Sequence, residues 1–259
     1  MAVVNVTPDS FSDGGQFLDP AAAIAHALEL VAQGADMLDI GGESTRPHAK
    51  PVSEAEELRR VIPVIEKLAR KIKVPLSIDT MKPEVARAAL AAGACVVNDV
   101  AANRGENEMW QVVSGFRAGY ICMHAPPGFH QLQRQKNMVL EVGKFLKERL
   151  RKMKAAGISP EQVVFDPGIG FGKTLEQNLS LLADLRSFTK LRRPLLLGVS
   201  RKSFIGKLLG AKVDERLPAS LACATLAVEA GVQFIRTHDV AETVQAVRMT
   251  EALLARKKN

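Results

Sequence analysis

Leu76-Ser77-Ile78-Asp79, then Lys82-Pro83-Glu84 leading through an alanine-rich stretch to Ala92-Gly93, then Cys95-Val96-Val97-Asn98: this passage decides the fold. It holds a short apolar run, an amphipathic helix and a second apolar run. Lys82-Pro83-Glu84 opens the helix because proline's fixed φ suits a first turn, where its missing N–H goes unused. Gly93 closes it, since glycine takes the left-handed conformation that ends helices. Two strands joined by one helix in so few residues are parallel neighbours.

The same unit recurs on both sides. Val3 to Val6 precedes Pro20 to Gln33, Met37 to Ile40 precedes Glu54 to Lys71, and Leu76 to Ile78 precedes Glu84 to Ala92. Cys95 to Asn98 precedes Asn107 to Phe116, Tyr120 to Met123 precedes Met138 to Ala156, and Val163 to Phe165 precedes Leu175 to Phe188. Leu195 to Val199 precedes Ser203 to Leu209 and Ala219 to Ala230, and Phe234 to Ile235 precedes Val240 to Leu254. The strands read as continuous apolar runs, which predicts burial on both faces of a parallel sheet. Eight such pairs predict an α/β fold of one domain over residues 1–259, a single (β/α)8 TIM barrel. An open, doubly wound sheet is the alternative built from the same units.

A chain of 259 residues, 47% of them hydrophobic and 24% charged, can bury one full core. Its net charge of +7 favours anionic ligands. Nucleic acid is not expected, because the basic residues are dispersed and aromatics, at 5%, leave few surfaces for base stacking. Cys95, Cys122 and Cys223 are isolated, so neither a disulfide framework nor a zinc site is expected. The opening residues lack a basic start and a signal-peptide core, and no apolar run reaches the ~18 residues that span a membrane. A cytoplasmic protein without membrane contact is the expectation.

In a barrel the active site lies at the carboxyl ends of the strands. Polar residues stand there after every apolar run: Asn5, Glu43 to Arg46, Asp79, Asn98-Asp99, His124, Asp166, Ser200 to Lys202, and Arg236 to His238. Any one of them alone reads as a cap or a solvated side chain; together at one rim they read as a site. Asn5, Arg46, Arg236 and His238 follow the neighbouring eighth, first and second strands. They are donors or cations suited to a polyanion, with Mg²⁺ between it and the Asn5 amide oxygen. Asp79, Asn98, Asp166 and Lys202 converge toward the axis. Two carboxylates, an amide and an ammonium there would hold a planar heterocycle presenting amino and ring N–H groups. The competing reading is a structural ion network in which Lys202 relieves the two aspartates. Gly168 to Thr174 imitates a nucleotide-binding loop, but Pro167 occupies the place of the first P-loop glycine. It reads instead as a flexible loop that lays Phe171 over the pocket mouth.

Seven segments, taken together, resemble the dihydropteroate synthase family over essentially the whole chain. They are Asn5 to Gly15, Asp39 to Pro47, Ser77 to Thr80, Asn98 to Val100, Asp166 to Thr174, Ser200 to Phe204 and Arg236 to Asp239. The resemblance implies a transferase of folate biosynthesis that joins 6-hydroxymethyl-7,8-dihydropterin pyrophosphate to p-aminobenzoate, giving 7,8-dihydropteroate and pyrophosphate. It implies that Asp79, Asn98, Asp166 and Lys202 grip the pterin and carry catalysis, while Asn5, Arg46, Arg236 and His238 take the pyrophosphate with Mg²⁺, Asn5 serving the metal. It further implies that Phe11, Thr45, Pro47, Phe171, Lys202 and Ser203 form the p-aminobenzoate side, and that the protein is a homodimer with its seventh and eighth helices as interface.

There are two departures from the family pattern. Ala125-Pro126-Pro127-Gly128-Phe129-His130 replaces the usual glycine and proline placement after His124, and no hairpin stands before the first strand, so a more open lower mouth is expected. A pterin-binding methyltransferase barrel, which needs no pyrophosphate site, and a catalytically silent paralogue remain as rival readings.

Overall fold

The computed structural model describes residues 1–7, 20–44, 51–102, 107–126 and 137–257. Strand and helix alternate through it: β1 (Ala2–Asn5), α1 (Pro20–Ala32), β2 (Leu38–Gly41), α2 (Glu54–Ala69), β3 (Leu76–Asp79), α3 (Pro83–Ala91), β4 (Val96–Asp99) and α4 (Glu108–Phe116). Then come β5 (Gly119–Met123), α5 (Met138–Ala155), β6 (Val163–Asp166), α6 (Leu175–Ala183), α7 (Arg186–Thr189), β7 (Leu196–Gly198), α8 (Ser203–Leu209), α9 (Leu217–Ala230), β8 (Phe234–Arg236) and α10 (Val240–Arg256).

Local chemistry sets the boundaries. Ser53 caps α2 by accepting from the Glu56 N–H at 3.3 Å, and Pro83 occupies the first turn of α3. Gly93 follows α3 at φ 117°, and a Cβ there would stand 2.6 Å from that of Ala69. The single helix expected over 175–188 divides into α6 and α7. Asp184 leaves helical geometry (φ −120°, ψ 37°), and its carboxylate accepts from Ser187 Oγ at 2.7 Å, starting the short helix anew.

All strand pairs are parallel, in the order β1 to β6, with β7 paired to β8. Two bridges close the ring: Phe165 to Leu195 joins β6 toward β7, and Ala2 to Thr237 joins β8 toward β1. The Val3 N–H reaches the Thr237 carbonyl at 3.0 Å, and the Phe165 N–H reaches that of Pro194 at 2.9 Å. The fold is therefore a closed α/β barrel and not an open sheet.

Because side chains alternate along a strand, each strand serves two interiors. Val4, Leu38, Ile40, Leu76, Ile78, Val97, Tyr120, Cys122 and Phe165 join the inner faces of the helices in one apolar core. Asp39 and Ser77, which alternate with them, are equally buried. The strands are thus apolar toward the helices and partly polar toward the lumen, where the sequence led us to expect apolar residues throughout. At the amino ends of β1, β2 and β8 lies a cavity of about 950 Å³ lined by Met1, Asp36, Met37, Phe234, Arg248 and Leu254. None of the described helices is long and apolar enough to cross a membrane.

Candidate active site

Parallel register puts Asn5, Gly41, Asp79 and Asn98 in one row across the first four strands. Gly41 matters in that row because a Cβ on it would meet Asp79 Cβ at 3.5 Å and Asn5 Oδ1 at 3.8 Å; its absence leaves those two side chains one shared space. Asp166 ends β6, Lys202 precedes α8, and Arg236 ends β8. One cleft is lined by Asp79, Asn98, Asp166, Lys202 and Arg236, with Met123 and Phe171 as apolar walls. The four residues expected at the axis are therefore together, and Arg236, expected on the anion side, faces the same space.

Arg236 is the hub of the polar contacts. Its Nε donates to Asp39 Oδ2 and its Nη2 to Asp79 Oδ2, both at 2.7 Å. Asn98 Nδ2 donates to the same Asp39 oxygen at 2.9 Å. Asp166 Oδ1 accepts the Gly168 N–H at 2.7 Å, which ties the pocket floor to the glycine-rich loop. Lys202 Nζ donates to the Ile169 carbonyl and sits 4.7 Å from the Phe171 ring centroid, so the ring stands against the ammonium at the wall of the cleft.

Burial pushes the Asp79 carboxyl up to about 7, against the opposing pull of Arg236 and with help from Asp39, Glu57 and Asp99. Burial likewise raises Asp166, with Lys202 and the Gly168 N–H opposing. Burial lowers Lys202 to about 8 although Asp166 favours its charge. Burial also works against the Arg236 charge, but Asp39 and Asp79 outweigh it. Carboxylates that burial makes costly to ionise suit a ligand that brings N–H donors to them.

The remaining residues divide. His238 is exposed, with Nδ1 3.0 Å from Ser200 Oγ, and its loop is fixed by the Arg201–Asp239 ion pair. Ser203 is exposed as the first residue of α8, next to Lys202. Phe11, Thr45, Arg46 and Pro47 lie outside the described residues, as does most of the altered loop after Ala125. His124, a rim candidate by position, packs edge-on against Phe145 of α5, 4.9 Å between centroids. Glu43 is engaged by Lys82 and by the Val52 N–H, and Asp99 by Tyr120.

Sequence reading passed over two residues. Asp39 sits inside β2, where the only signal is an acid between Leu38 and Ile40. Lys173, in the loop read only as a flexible carrier of Phe171, has its ammonium donating to the carbonyls of Gly168, His124 and Phe171 at 2.7, 3.0 and 3.2 Å. It shapes the loop that carries Phe171. Gly168 within that loop, at φ 71°, leaves no room for a Cβ, which would stand 1.9 Å from the His124 carbonyl oxygen.

The barrel that carries this cleft at its carboxyl rim belongs to a known class. The sequence model of the pterin binding enzyme family matches residues 1–238, and the chain belongs to that family. Within it the chain belongs with the dihydropteroate synthases. It is 44% identical over 264 residues to dihydropteroate synthase of Escherichia coli K12, across 100% of this chain and 93% of the relative. The solved structure of Xanthomonas albilineans dihydropteroate synthase with 4-aminobenzoic acid superposes with a TM-score of 0.93 at 47% identity, covering 98% of this chain and 92% of that one. The same organism's enzyme in complex with 7,8-dihydropteroate gives 0.89 at 45% identity, with coverage of 98% and 92%.

Proposed function

We infer that the chain catalyses the dihydropteroate synthase reaction of folate biosynthesis, joining 6-hydroxymethyl-7,8-dihydropterin pyrophosphate to p-aminobenzoate. The bond between the exocyclic methylene carbon and the pyrophosphate oxygen breaks, and its electron pair leaves with pyrophosphate. The arylamine nitrogen forms the new C–N bond and gives up a proton. The observation that carries this reading is the convergence of Asp79, Asn98, Asp166 and Lys202 with Arg236 in one cleft.

On this reading Asp79, Asn98 and Asp166 accept from the amino and ring N–H groups of the pterin, and Lys202 donates to its ring acceptors. The two carboxylates also stabilise positive charge developing on the pterin as pyrophosphate departs. Arg236 and His238, with Arg46, take the leaving anion. Phe171 and Ser203, beside Lys202, border the arylamine; Phe11, Thr45 and Pro47 complete that side.

Among the described residues, the protein's donors fit Mg²⁺ in one manner. Among the described residues no group of three or more His, Cys, Asp or Glu could hold a metal, while Asn5 offers a neutral amide oxygen next to Asp79. That set suits an ion held mainly by phosphate oxygens with Asn5 as protein ligand, where it would neutralise charge on the leaving group.

We further propose a homodimer formed through the helices of the last two units, which expose Leu208, Leu209, Leu226, Met249 and Leu253. Cys95, Cys122 and Cys223 as thiols suit a reducing, cytoplasmic setting. The test of function is steady-state pyrophosphate release from the dihydropterin substrate with and without p-aminobenzoate. Release that depends on the arylamine supports the synthase, and a methyl-transfer barrel or a silent paralogue would show none.

A further inference from the structure

A carboxylate buried inside a strand is costly unless it is paired, and Asp39 is fully buried on β2 between two core residues. One of its oxygens, Oδ2, accepts both from Asn98 Nδ2 at 2.9 Å and from Arg236 Nε at 2.7 Å. Its other oxygen, Oδ1, is buried with no partner among the described residues. Asp39 therefore spends one atom on two side chains of the cleft and lies beneath both.

The consequence for Asn98 follows from valence. An ionised carboxylate only accepts, so the Asn98 atom against it is the NH₂ group, and the amide cannot flip without placing oxygen against oxygen. The Asn98 carbonyl oxygen is left as the atom available to a ligand in the cleft. Arg236 is restrained in the same way: Nε is held by Asp39 and Nη2 by Asp79, which fixes the plane of the guanidinium.

We propose that Asp39 is a positioning residue of this site, which selects a ligand edge carrying an N–H donor by fixing the Asn98 carbonyl toward the cleft and by aiming Arg236 at Asp79. The inference rests on the pterin reading of the cleft and deepens it. Asp39 touches no reacting atom and acts through Asn98 and Arg236.

Three substitutions separate aim from charge. Asp39→Asn can place its carbonyl oxygen where Oδ2 stands, accepting both hydrogen bonds, and its NH₂ where Oδ1 has no partner; charge is lost and aim is kept. Asp39→Glu keeps the charge and shifts the carboxylate by one methylene. Asp39→Ala removes both. The measurements are calorimetric affinity for 6-hydroxymethylpterin, which lacks pyrophosphate, and the KM for p-aminobenzoate in steady state.

Asp39→Ala is expected to weaken the pterin by about tenfold or more, the scale of losing charge-assisted hydrogen bonds, while the arylamine KM stays within about twofold. Asp39→Asn should recover most of the pterin affinity and bind more tightly than Asp39→Glu. That order decides the matter even if the alanine variant does not fold. Asp39→Glu binding as well as wild type with Asp39→Asn as weak as Asp39→Ala would assign the effect to charge and overturn the proposal. A wild-type protein that binds no pterin would overturn the reading beneath it and this inference together.

Discussion

Arg236 Nη2 lies 2.7 Å from Asp79 Oδ2, joining the last residue of β8 to the last residue of β3 across the barrel mouth. The cation that sequence assigns to pyrophosphate is thus also the counter-ion of two buried carboxylates, Asp39 and Asp79. Replacing it as Arg236→Gln leaves Asp39 and Asp79 without their cation, so a loss of ~3 kcal/mol in folding stability is expected. The variant should weaken the pyrophosphate ester most and, because Arg236 also holds Asp79, should weaken the bare pterin as well. Thermal unfolding and calorimetry on both ligands check this. Undiminished affinity for the bare pterin would confine Arg236 to the anion.

The pH dependence follows from two opposed shifts. Asp79 is raised from 3.8 to about 7, so its contribution to stability is full below the ordinary value and is lost as pH rises through about 7. Lys202 is lowered from 10.5 to about 8, so its contribution is full above the ordinary value and is lost as pH falls through about 8. Carboxylate and ammonium are present together most fully between about 7 and about 8. A bell-shaped kcat/KM for the pterin substrate, highest in that window, is expected. A profile flat from about pH 6 to about pH 9 would contradict the assignment.

Lys202→Ala removes the ammonium that favours ionised Asp166 and the contact that seats Phe171. A fall in kcat/KM of at least about tenfold, or ~1.4 kcal/mol, is expected. With one cation fewer, the acid limb of the pH profile should move upward. Near-normal kinetics would take Lys202 out of the site.

The barrel was legible because glycine and proline punctuate it: Pro83 and Gly93 bracket α3 as they were read to do, and strand ends shifted by only a residue or so. The rim was legible for a related reason, since a polar residue directly after an apolar run falls at the carboxyl mouth. Pairing across the lumen was not legible. Arg236 and Asp39 are 197 positions apart, and nothing local distinguishes a cation meant for a ligand from one that also neutralises a buried acid. Asp39 escaped because an apolar strand was taken as apolar on both faces. Lys173 escaped because the glycine-rich loop was read as flexible, whereas here the lysine gathers the carbonyls of Gly168 and Phe171 with that of His124. His124 occupied the right position in the chain, but its ring is turned onto α5.

On the proposed reading, the cleft around Asp166 holds the pterin of a dihydropteroate synthase. Asp166→Asn tests it most directly, because the amide keeps the shape and can still accept the Gly168 N–H, while one acceptor facing the ring becomes a donor. The measurement is the rate at which dihydropteroate and pyrophosphate appear when both substrates are supplied to wild type and variant. Wild type should give equal amounts of the two products, and the variant a fall of about a hundredfold, or ~2.7 kcal/mol, in kcat/KM for the pterin substrate. Equal rates in the two proteins, or pyrophosphate without dihydropteroate from wild type, would contradict it.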